Sequence, residues 1–418
     1  MRFAYNLLTY LLLLPWALYW GMRGIANRSY WHKLPERFGV GYRKLDRSIW
    51  VHAVSVGEVV AAVPLIRALL RDYPGRTVLV TTVTPTGAAR VRSVFGDDVQ
   101  HAYIPFENPD AVARFFDANR PELAMIMETE IWPNLYHGCG VRGIPLVLIS
   151  ARISPKSVRG YRRLLPLFRE TLSHGIIIAA QTEADAGRFL SLGAAEERTR
   201  VTGNIKFDID LPATIAADGR AMREALFPSR PVWVAASTHD GEESIVLDAH
   251  AAVLERRPDA LLILVPRHPQ RFAAVRDLVE KRGFGVVART EETSVPPSTP
   301  VFLGDTMGEL LLFYAAADAA FVGGSLVPIG GHNLLEPAAV GVPMISGPHV
   351  FNGEEIARLF MSTDACLAVD SAESLAGAVL RLLDDEALSV RMAAQARARL
   401  ADNRGALGRL LDMIRPLL

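Results

Sequence analysis

The stretch Ala319-Ala-Phe-Val-Gly-Gly-Ser-Leu-Val-Pro-Ile-Gly-Gly-His-Asn-Leu-Leu-Glu-Pro337 carries the pattern on which the fold turns. Ala319–Val322 is a short apolar run that reads as a buried strand. Two glycine pairs follow, Gly323-Gly324 and Gly330-Gly331, and then Asn333-Leu334-Leu335-Glu336 opens a helix with the spacing of a capping box. Strand, glycine loop and helix N-terminus in that order make a corner able to take an anion or a nucleotide. Glu336, one turn into the helix, is placed to accept the two hydroxyls of a ribose. A tight strand–helix turn with a capped helix has the same pattern, so the rest of the chain decides.

Around this stretch lie further strand-like runs: Val232–Ala236, Leu261–Val265, Gly285–Ala288, Val301–Leu303 and Val342–Ile345. Segments of helical period, such as Glu242–Arg256 and Met307–Ala317, separate them. An earlier series runs Ile49–Val54, Val78–Val83, Leu123–Met127, Ile144–Ile149, Ile176–Ala180 and Thr199–Thr202, with Val59–Arg71 and Asp110–Asn119 among its helices. Apolar strands alternating with helices predict parallel sheets covered on both faces. The expected fold class is α/β, with two doubly wound Rossmann-like domains facing a central cleft. Ligands in such sheets bind at the carboxyl ends of the strands. No G-x-G-x-x-G follows an early strand and no Walker A motif is present, which disfavours a dinucleotide oxidoreductase or a P-loop enzyme.

A length of 418 residues suits two or three domains of about 150 residues each. The irregular stretch 208–230, with Pro212, Asp218-Gly219 and Pro228, is the expected linker between a domain at 23–207 and one at 231–418. The last segment, Ala372–Leu418, alternates Arg with Leu and Ala at helical spacing and is expected on the surface, with a return to the first half as one route. There are 45 basic and 45 acidic residues, a balance that points away from nucleic acid. Two cysteines, Cys139 and Cys366, build neither a disulfide framework nor a metal cluster.

The N-terminus departs from this pattern. Phe3–Met22 carries no charge, and its length can span a hydrocarbon core of about 30 Å. Pro15, Asn6 and Thr9 interrupt the run, so lying in the membrane interface is the alternative, and a buried helix of the globular body a third. Arg23, Arg28, Lys33, Arg37, Arg43, Lys44 and Arg47 follow, interleaved with Tyr30, Trp31 and Tyr42. Such a collar suits an anionic membrane surface and places the later residues on the cytoplasmic side.

Several strands end abruptly in polar residues. Glu58 follows the first strand and enters a helix, where it can act as a general base or simply complement the helix dipole. Glu128 and Glu130 close another strand and share one face only if the strand runs through them. Lys206 stands beyond the run Thr199–Thr202, where it can stabilise a phosphate or stay solvated. The acid-free segment Arg152–Arg169 is either a solvated helix face or a contact for a phosphorylated, membrane-borne acceptor. In the second half, Pro266-Arg267-His268 ends a strand with a phosphate-binding residue type. Ser237–Glu243 and Gly304–Leu310 are two more corners, the latter with Asp305 or Thr306 as N-cap.

Together Ser55-Val-Gly-Glu58, Glu128-Thr-Glu-Ile-Trp-Pro-Asn134, Ser237-Thr-His-Asp-Gly-Glu-Glu243, Pro266-Arg-His-Pro269, Asp305-Thr-Met-Gly-Glu309 and Gly330-Gly-His-Asn-Leu-Leu-Glu336 resemble the 3-deoxy-D-manno-octulosonic acid (Kdo) transferases of lipopolysaccharide synthesis. The resemblance runs nearly the whole chain. It implies a GT-B glycosyltransferase with an N-terminal membrane anchor on the cytoplasmic side of the inner membrane. The implied reaction is inverting transfer of Kdo from CMP-Kdo to a lipid A precursor, lipid IVA. Glu58 matches the general base, and Glu128, Glu130 and Lys206 match positions that assist the transition state or touch the acceptor. Pro266 and Arg267 match a phosphate-side contact, Met307, Gly308 and Glu309 a base-side loop, and Asn333, Leu334, Leu335 and Glu336 the ribose and phosphate corner. The one Asp-x-Asp, Asp208-Ile-Asp210, lies in the expected linker, so the chemical step is expected to need no metal or other cofactor. Two alternatives stand: a GT-B enzyme using another nucleotide sugar on a lipid, and a nucleotide-binding module of a membrane complex.

Overall fold

Every strand-like run singled out in the sequence becomes a strand in one of two seven-stranded, all-parallel sheets. The computed structural model describes residues 1–291 and 294–418. They form two units, Met1–Asp208 with Asn403–Leu418, and Ile209–Asp402.

The first unit holds β1 (Ser48–His52), β2 (Thr77–Thr82), β3 (Gln100–Tyr103), β4 (Pro121–Met127), β5 (Leu146–Ala151), β6 (Ile177–Ala180) and β7 (Thr199–Val201), in the order β3-β2-β1-β4-β5-β6-β7. The second holds β8 (Val232–Thr238), β9 (Leu261–Pro266), β10 (Val286–Ala288), β11 (Val301–Leu303), β12 (Ala319–Val322), β13 (Met344–Ser346) and β14 (Cys366–Ala368), in the order β10-β11-β9-β8-β12-β13-β14. Both contain one six-strand arrangement that grows outward in two directions from a central pair, β1 with β4 and β8 with β12. The direction of growth reverses at that pair, which is where doubly wound sheets bind ligands. Central strands are buried on both faces, so they are apolar without alternation; Ile49, Trp50 and Val51 are all fully buried.

The edge strands β3 and β14 were not legible as apolar runs. Gln100-His-Ala-Tyr103 is half polar and Cys366-Leu-Ala368 is three residues long.

The domain boundaries fall elsewhere than expected. Most of the expected linker is a helix, Ile215–Leu226, that belongs to the second unit. Met222 and Phe227 enter the same core as Val232 and Phe302, and Arg223 grips Asp318 through two bonds of 2.6 and 2.8 Å. The last helix, Ala406–Ile414, leaves the second unit and belongs to the first. Its residues Ala406, Leu410 and Ile414 recur every fourth position and pack with Ile49, Val51 and Leu65. Asp208 accounts for this return: its two carboxylate oxygens accept the Gly405 and Leu407 N–H groups, each at 2.6 Å. The carboxylate of the Asp-x-Asp is thus a helix cap.

The uncharged N-terminal stretch is divided between two helices, Arg2–Leu11 and Leu13–Ala26. No helix among the described residues is long and apolar enough to cross a membrane. One face of the pair lies on the first unit. Trp20 is buried under the Arg37 guanidinium, 3.8 Å from its ring centroid, and Trp16 meets Phe106 edge-on at 5.0 Å. The Tyr5 and Tyr10 hydroxyls donate to Glu107 and Asp110 at 3.0 and 2.9 Å. Away from those contacts Phe3, Leu7, Leu11, Leu14, Leu18, Met22 and Ile25 stand exposed at steps of three and four residues, one apolar stripe along both helices.

Candidate functional site

In the first unit the chain leaves β1, passes Ala53-Val-Ser55 and enters the helix Val56–Asp72, with Glu58 in its first turn. One Glu58 oxygen, Oε2, accepts the Val54 N–H at 2.7 Å; the other has no hydrogen-bond partner among the described residues. Burial pushes the Glu58 pKa up to about 7, the Val54 N–H works against the rise, the charges of Glu128 and Glu130 add to it, and Lys206 opposes it.

Glu128 begins at the end of β4 with φ of +57°, a left-handed backbone rare for a glutamate and a modest strain held by its surroundings. Its N–H still bonds the Ile149 carbonyl at 2.8 Å. The carboxylate is clamped between Lys206 Nζ at 2.6 Å and Arg152 Nε at 3.2 Å. Burial opposes the charge on Glu128, but these two cations outweigh it and leave the pKa below the usual value. Lys206 is delivered by the short turn Ile205–Phe207. That turn is fixed by Asn204 Oδ1, which accepts the Lys206 N–H, and by Ser150 Oγ, which accepts the Ile205 N–H. Glu130 is a different kind of group. The Trp132 indole donates to its Oε2 at 2.8 Å, while burial first and Glu128 second raise its pKa above the ordinary value. The strand ends at Met127, so the shared face that alternation would give the two glutamates does not form. All four expected groups are thus linked, Lys206 to Glu128 by an ion pair and Glu58 and Glu130 to it through charge, with Glu130 also held by Trp132.

One further cluster has metal-ligand chemistry. His137, Glu170 and His174 bring their ligand atoms within 4.8 Å of one another. His174 lies against Gly140, where a Cβ would meet its ring at 2.8 Å. The Arg2 guanidinium contacts both Glu170 and His137, so a cation is already supplied by the chain itself.

In the second unit the glycine corner differs from its sequence reading. Its first N–H groups, on Gly324, Ser325 and Leu326, donate to the Glu242 carboxylate at 2.7, 3.0 and 2.9 Å, and the His239 N–H adds a fourth bond at 3.2 Å. Glu242 is fully buried. The anion in this nest is therefore the protein's own. A Cβ on Gly323 would meet Glu242 Oε2 at 2.8 Å and the Ala236 carbonyl at 2.9 Å, which is why glycine is needed there. The sequence signal for Glu242 was weak, since a glutamate opening a helix reads as a dipole partner.

Beyond the nest the loop turns through Gly330 and Gly331, at φ of +109° and +74°, to His332. The helix spans only Leu335–Val340 with Leu334 at its N-cap, so Asn333 stands one residue outside the expected capping box and its Oδ1 accepts the Leu335 N–H at 3.0 Å instead. Leu334 and Leu335 are buried and anchor the turn, with Glu336 half-buried beside them. The Asp305 corner also shifts. Its helix is Leu310–Ala316, so Met307, Gly308 and Glu309 precede it, and Asp305 bonds Thr290 instead of capping. Glu309 is held by Arg289 at 2.9 Å and by Thr306, while Met307 is exposed on a turn that Gly308 allows with φ of +91°. Pro266 ends β9 opposite Thr238, and the Arg267 N–H bonds the Thr238 carbonyl at 3.0 Å.

Residues 32–209 match the family described as "3-Deoxy-D-manno-octulosonic-acid transferase (kdotransferase)", and residues 232–399 that described as "Glycosyl transferases group 1". The chain is 42% identical over 403 residues to the 3-deoxy-D-manno-octulosonic acid transferase of Haemophilus influenzae, a match covering 95% of this chain and 94% of that protein. With the enzyme of the same description from Bordetella pertussis it is 38% identical over 414 residues, covering 96% and 95%. Among solved structures, the UDP-GlcNAc 2-epimerase of Neisseria meningitidis is similar at a TM-score of 0.57 and 14% identity, covering 88% of this chain and all of that one. A glycosyltransferase from Rickettsia africae gives 0.56 and 14%, covering 90% and 99%. These last two likenesses show the GT-B fold of two Rossmann-like domains.

Proposed function

The chain belongs to the 3-deoxy-D-manno-octulosonic acid (Kdo) transferase family, glycosyltransferases of lipopolysaccharide synthesis, and from that premise we propose that it moves Kdo from CMP-Kdo to a lipid A precursor, lipid IVA, with inversion and with Glu58 as general base. The observation that carries the base assignment is the Glu58 carboxyl, brought to about 7 by burial and leaving one oxygen without a partner among the described residues. A base of that pKa is half ionised near neutral pH and able to take a proton there. In the proposed step the acceptor hydroxyl loses its proton to Glu58. Its oxygen forms a bond to the anomeric carbon, and the bond from that carbon to the CMP phosphate oxygen breaks, its electron pair leaving on CMP. Because CMP is already a stabilised leaving group, the step calls for a base and cationic groups, not for a protein nucleophile. Lys206 and Arg152 hold Glu128 ionised and in place beside the base. Glu130, neutralised more easily than Glu128, is the candidate acceptor contact.

The second unit is the proposed donor side. Arg267 faces the phosphate, the Met307–Glu309 turn lies at the base, and Glu336 takes the ribose, with Pro266, Asn333, Leu334 and Leu335 fixing those groups. The acceptor side is supported by a hollow on the first unit lined by Arg159, Arg162 and Arg188, a charge pattern suited to a phosphorylated lipid.

The exposed stripe Phe3–Ile25 and the basic residues after it, apart from Arg37, which is buried against Trp20, form the proposed anchor, lying in the interface of the inner membrane on its cytoplasmic side. An apolar face of this length without a protein cover suits an interfacial helix pair. Replacing Leu7, Leu11, Leu14 and Leu18 by Ser should cut partition into anionic vesicles at least tenfold in a sedimentation assay; undiminished partition would move the anchor to the basic collar. The reaction itself is tested by incubating the purified protein with CMP-Kdo and lipid IVA and weighing the lipid product by mass spectrometry. A mass gain of one or more Kdo residues is expected; a lipid left unchanged by CMP-Kdo but made heavier in a parallel incubation with a UDP-sugar would replace this reading.

A further inference from the structure

Three imidazoles meet at the strand ends of the second unit, and the charge of the Arg267 guanidinium bears on all three. His239 follows β8, Arg267 and His268 follow β9, and His332 stands in the loop that follows β12. The His239 and His332 rings are 6° from parallel with centroids 5.0 Å apart, and their Nε2 atoms approach to 2.7 Å. His268 meets His239 edge-on at 5.3 Å. Gly324 makes the approach possible, since a Cβ there would lie 3.0 Å from the His332 ring and 3.4 Å from that of His239.

The acids around this group are already committed. Glu242 is engaged by four backbone N–H groups. Glu243 and Asp240 are both taken by Arg271, and Glu243 also accepts from Thr238. The Arg267 guanidinium has no carboxylate partner among the described residues. Protein interiors rarely gather cations and protonatable rings without a counter-charge, because each disfavours the charged form of the next.

We propose that His239, His332 and Arg267 form a seat for an oxyanion of the donor. The inference rests on the reading of this unit as the donor side. It adds a pair of binding residues, His239 and His332, to the contacts made by Arg267 and the ribose corner.

An Nε2–Nε2 bond needs one ring to donate and the other to accept. The donating ring then carries its proton on Nε2 and has a bare Nδ1. An arriving oxyanion favours a proton from solvent at that Nδ1, so the ring becomes an imidazolium that donates to its neighbour through Nε2 and carries a second N–H. The resting state is set against this: burial, then the neighbouring imidazoles and Arg267, bring His332 down to about 3, and His239 and His268 are lowered as well. An anion at that Nδ1–H offsets those causes by stabilising the charged ring, so anion binding and proton uptake are coupled.

The experiment is calorimetric titration of the full-length protein with CMP, cytidine and free Kdo at about pH 7, each in two buffers of different ionisation enthalpy. Uptake of about half to one proton per bound ligand is expected for the arm whose oxyanion occupies the seat, phosphate for CMP or carboxylate for Kdo, and none for cytidine. The doubly substituted His239→Gln, His332→Gln protein, checked for an unchanged melting temperature, should bind that ligand about tenfold or more weakly and take up no proton. The single variant His332→Gln, which leaves His239 in place, repeats the measurement should the double variant melt early. CMP and Kdo both bound without uptake, or uptake that survives in the variants, would overturn the seat while leaving the donor reading intact. A wild-type protein that binds no CMP would overturn the donor reading itself, and the seat with it.

Discussion

Glu58 and Glu242 hold corresponding places in the two sheets. Each lies in the first turn of the helix that follows the central strand, β1 or β8, beside the point where strand order reverses. Their surroundings differ. Glu242 accepts four backbone N–H groups and is sealed; Glu58 accepts one and keeps an oxygen without a partner among the described residues. Burial raises the pKa of both. Only Glu58 has an oxygen left to receive a substrate proton. One topology thus supports two uses of a carboxylate, a base in the first unit and a fixed internal anion shaping a loop in the second. With its acid consumed, the second unit presents imidazoles and Arg267 at the strand ends, and its chemistry is that of holding an anion.

This contrast can be broken by exchanging the two outcomes in experiment. The largest effect belongs to Glu58→Gln. It should lower transfer by about 10²- to 10⁴-fold in a product-forming assay, with CMP affinity unchanged by calorimetry. Glu242→Ala should behave in the opposite way. Four buried donors lose their acceptor, so the second unit should lose about 3 kcal/mol or more in a denaturant titration, and CMP affinity should fall with it. A Glu242→Ala protein of wild-type stability would make Glu242 a bystander. Lys206→Ala is subtler. Glu128 keeps Arg152, but Glu58 loses the cation that holds its pKa down, so the rising limb of the pH–rate profile should move to higher pH and the rate at pH 7 should fall about tenfold.

The smallest effect concerns stability. The folded pKa of Glu58 lies above its ordinary value, so the stability it contributes is full below the ordinary carboxyl range, near 4.5, and is lost as pH rises through about 7. Glu58→Gln should therefore gain about 1 kcal/mol at alkaline pH, allowing for partial solvation, and nothing at acid pH, as read by melting curves at the two extremes. An equal gain at both would mean the carboxyl is not buried enough to act as described.

Much of this contrast was legible in the sequence, for physical reasons. Parallel strands buried on both faces leave apolar runs, and polar residues that end such runs stand where ligands bind; Glu58, Glu128 and Lys206 were all visible in that way. Their pairing was not, because Lys206 and Glu128 lie 78 positions apart and a salt bridge leaves no periodic trace. Glu242 was hidden behind the ordinary preference of helices for an acid in the first turn. The glycine corner was located, but its nest was taken for a ligand site because the sequence does not say which carboxylate comes back to fill it. The final helix had a clear apolar period at Ala406, Leu410 and Ile414, yet periodicity fixes a buried face and not the sheet that buries it. The N-terminal run was read from its length, its lack of charge, its interruptions at Asn6, Thr9 and Pro15 and the basic collar after it, and what the structure adds is that Tyr5, Tyr10 and Trp16 find partners on the first unit.

The central claim is that a glutamate with a pKa near 7 removes the acceptor proton. The most direct measurement is kcat/KM for Kdo transfer from CMP-Kdo between about pH 5.5 and about pH 8.5, in the wild-type protein and in Glu58→Gln. The wild-type value should rise tenfold per pH unit at the acid end and level off above about 7, and the residual rate of the variant should lose that limb. A limb that persists unchanged in Glu58→Gln, or a flat wild-type profile, would contradict it.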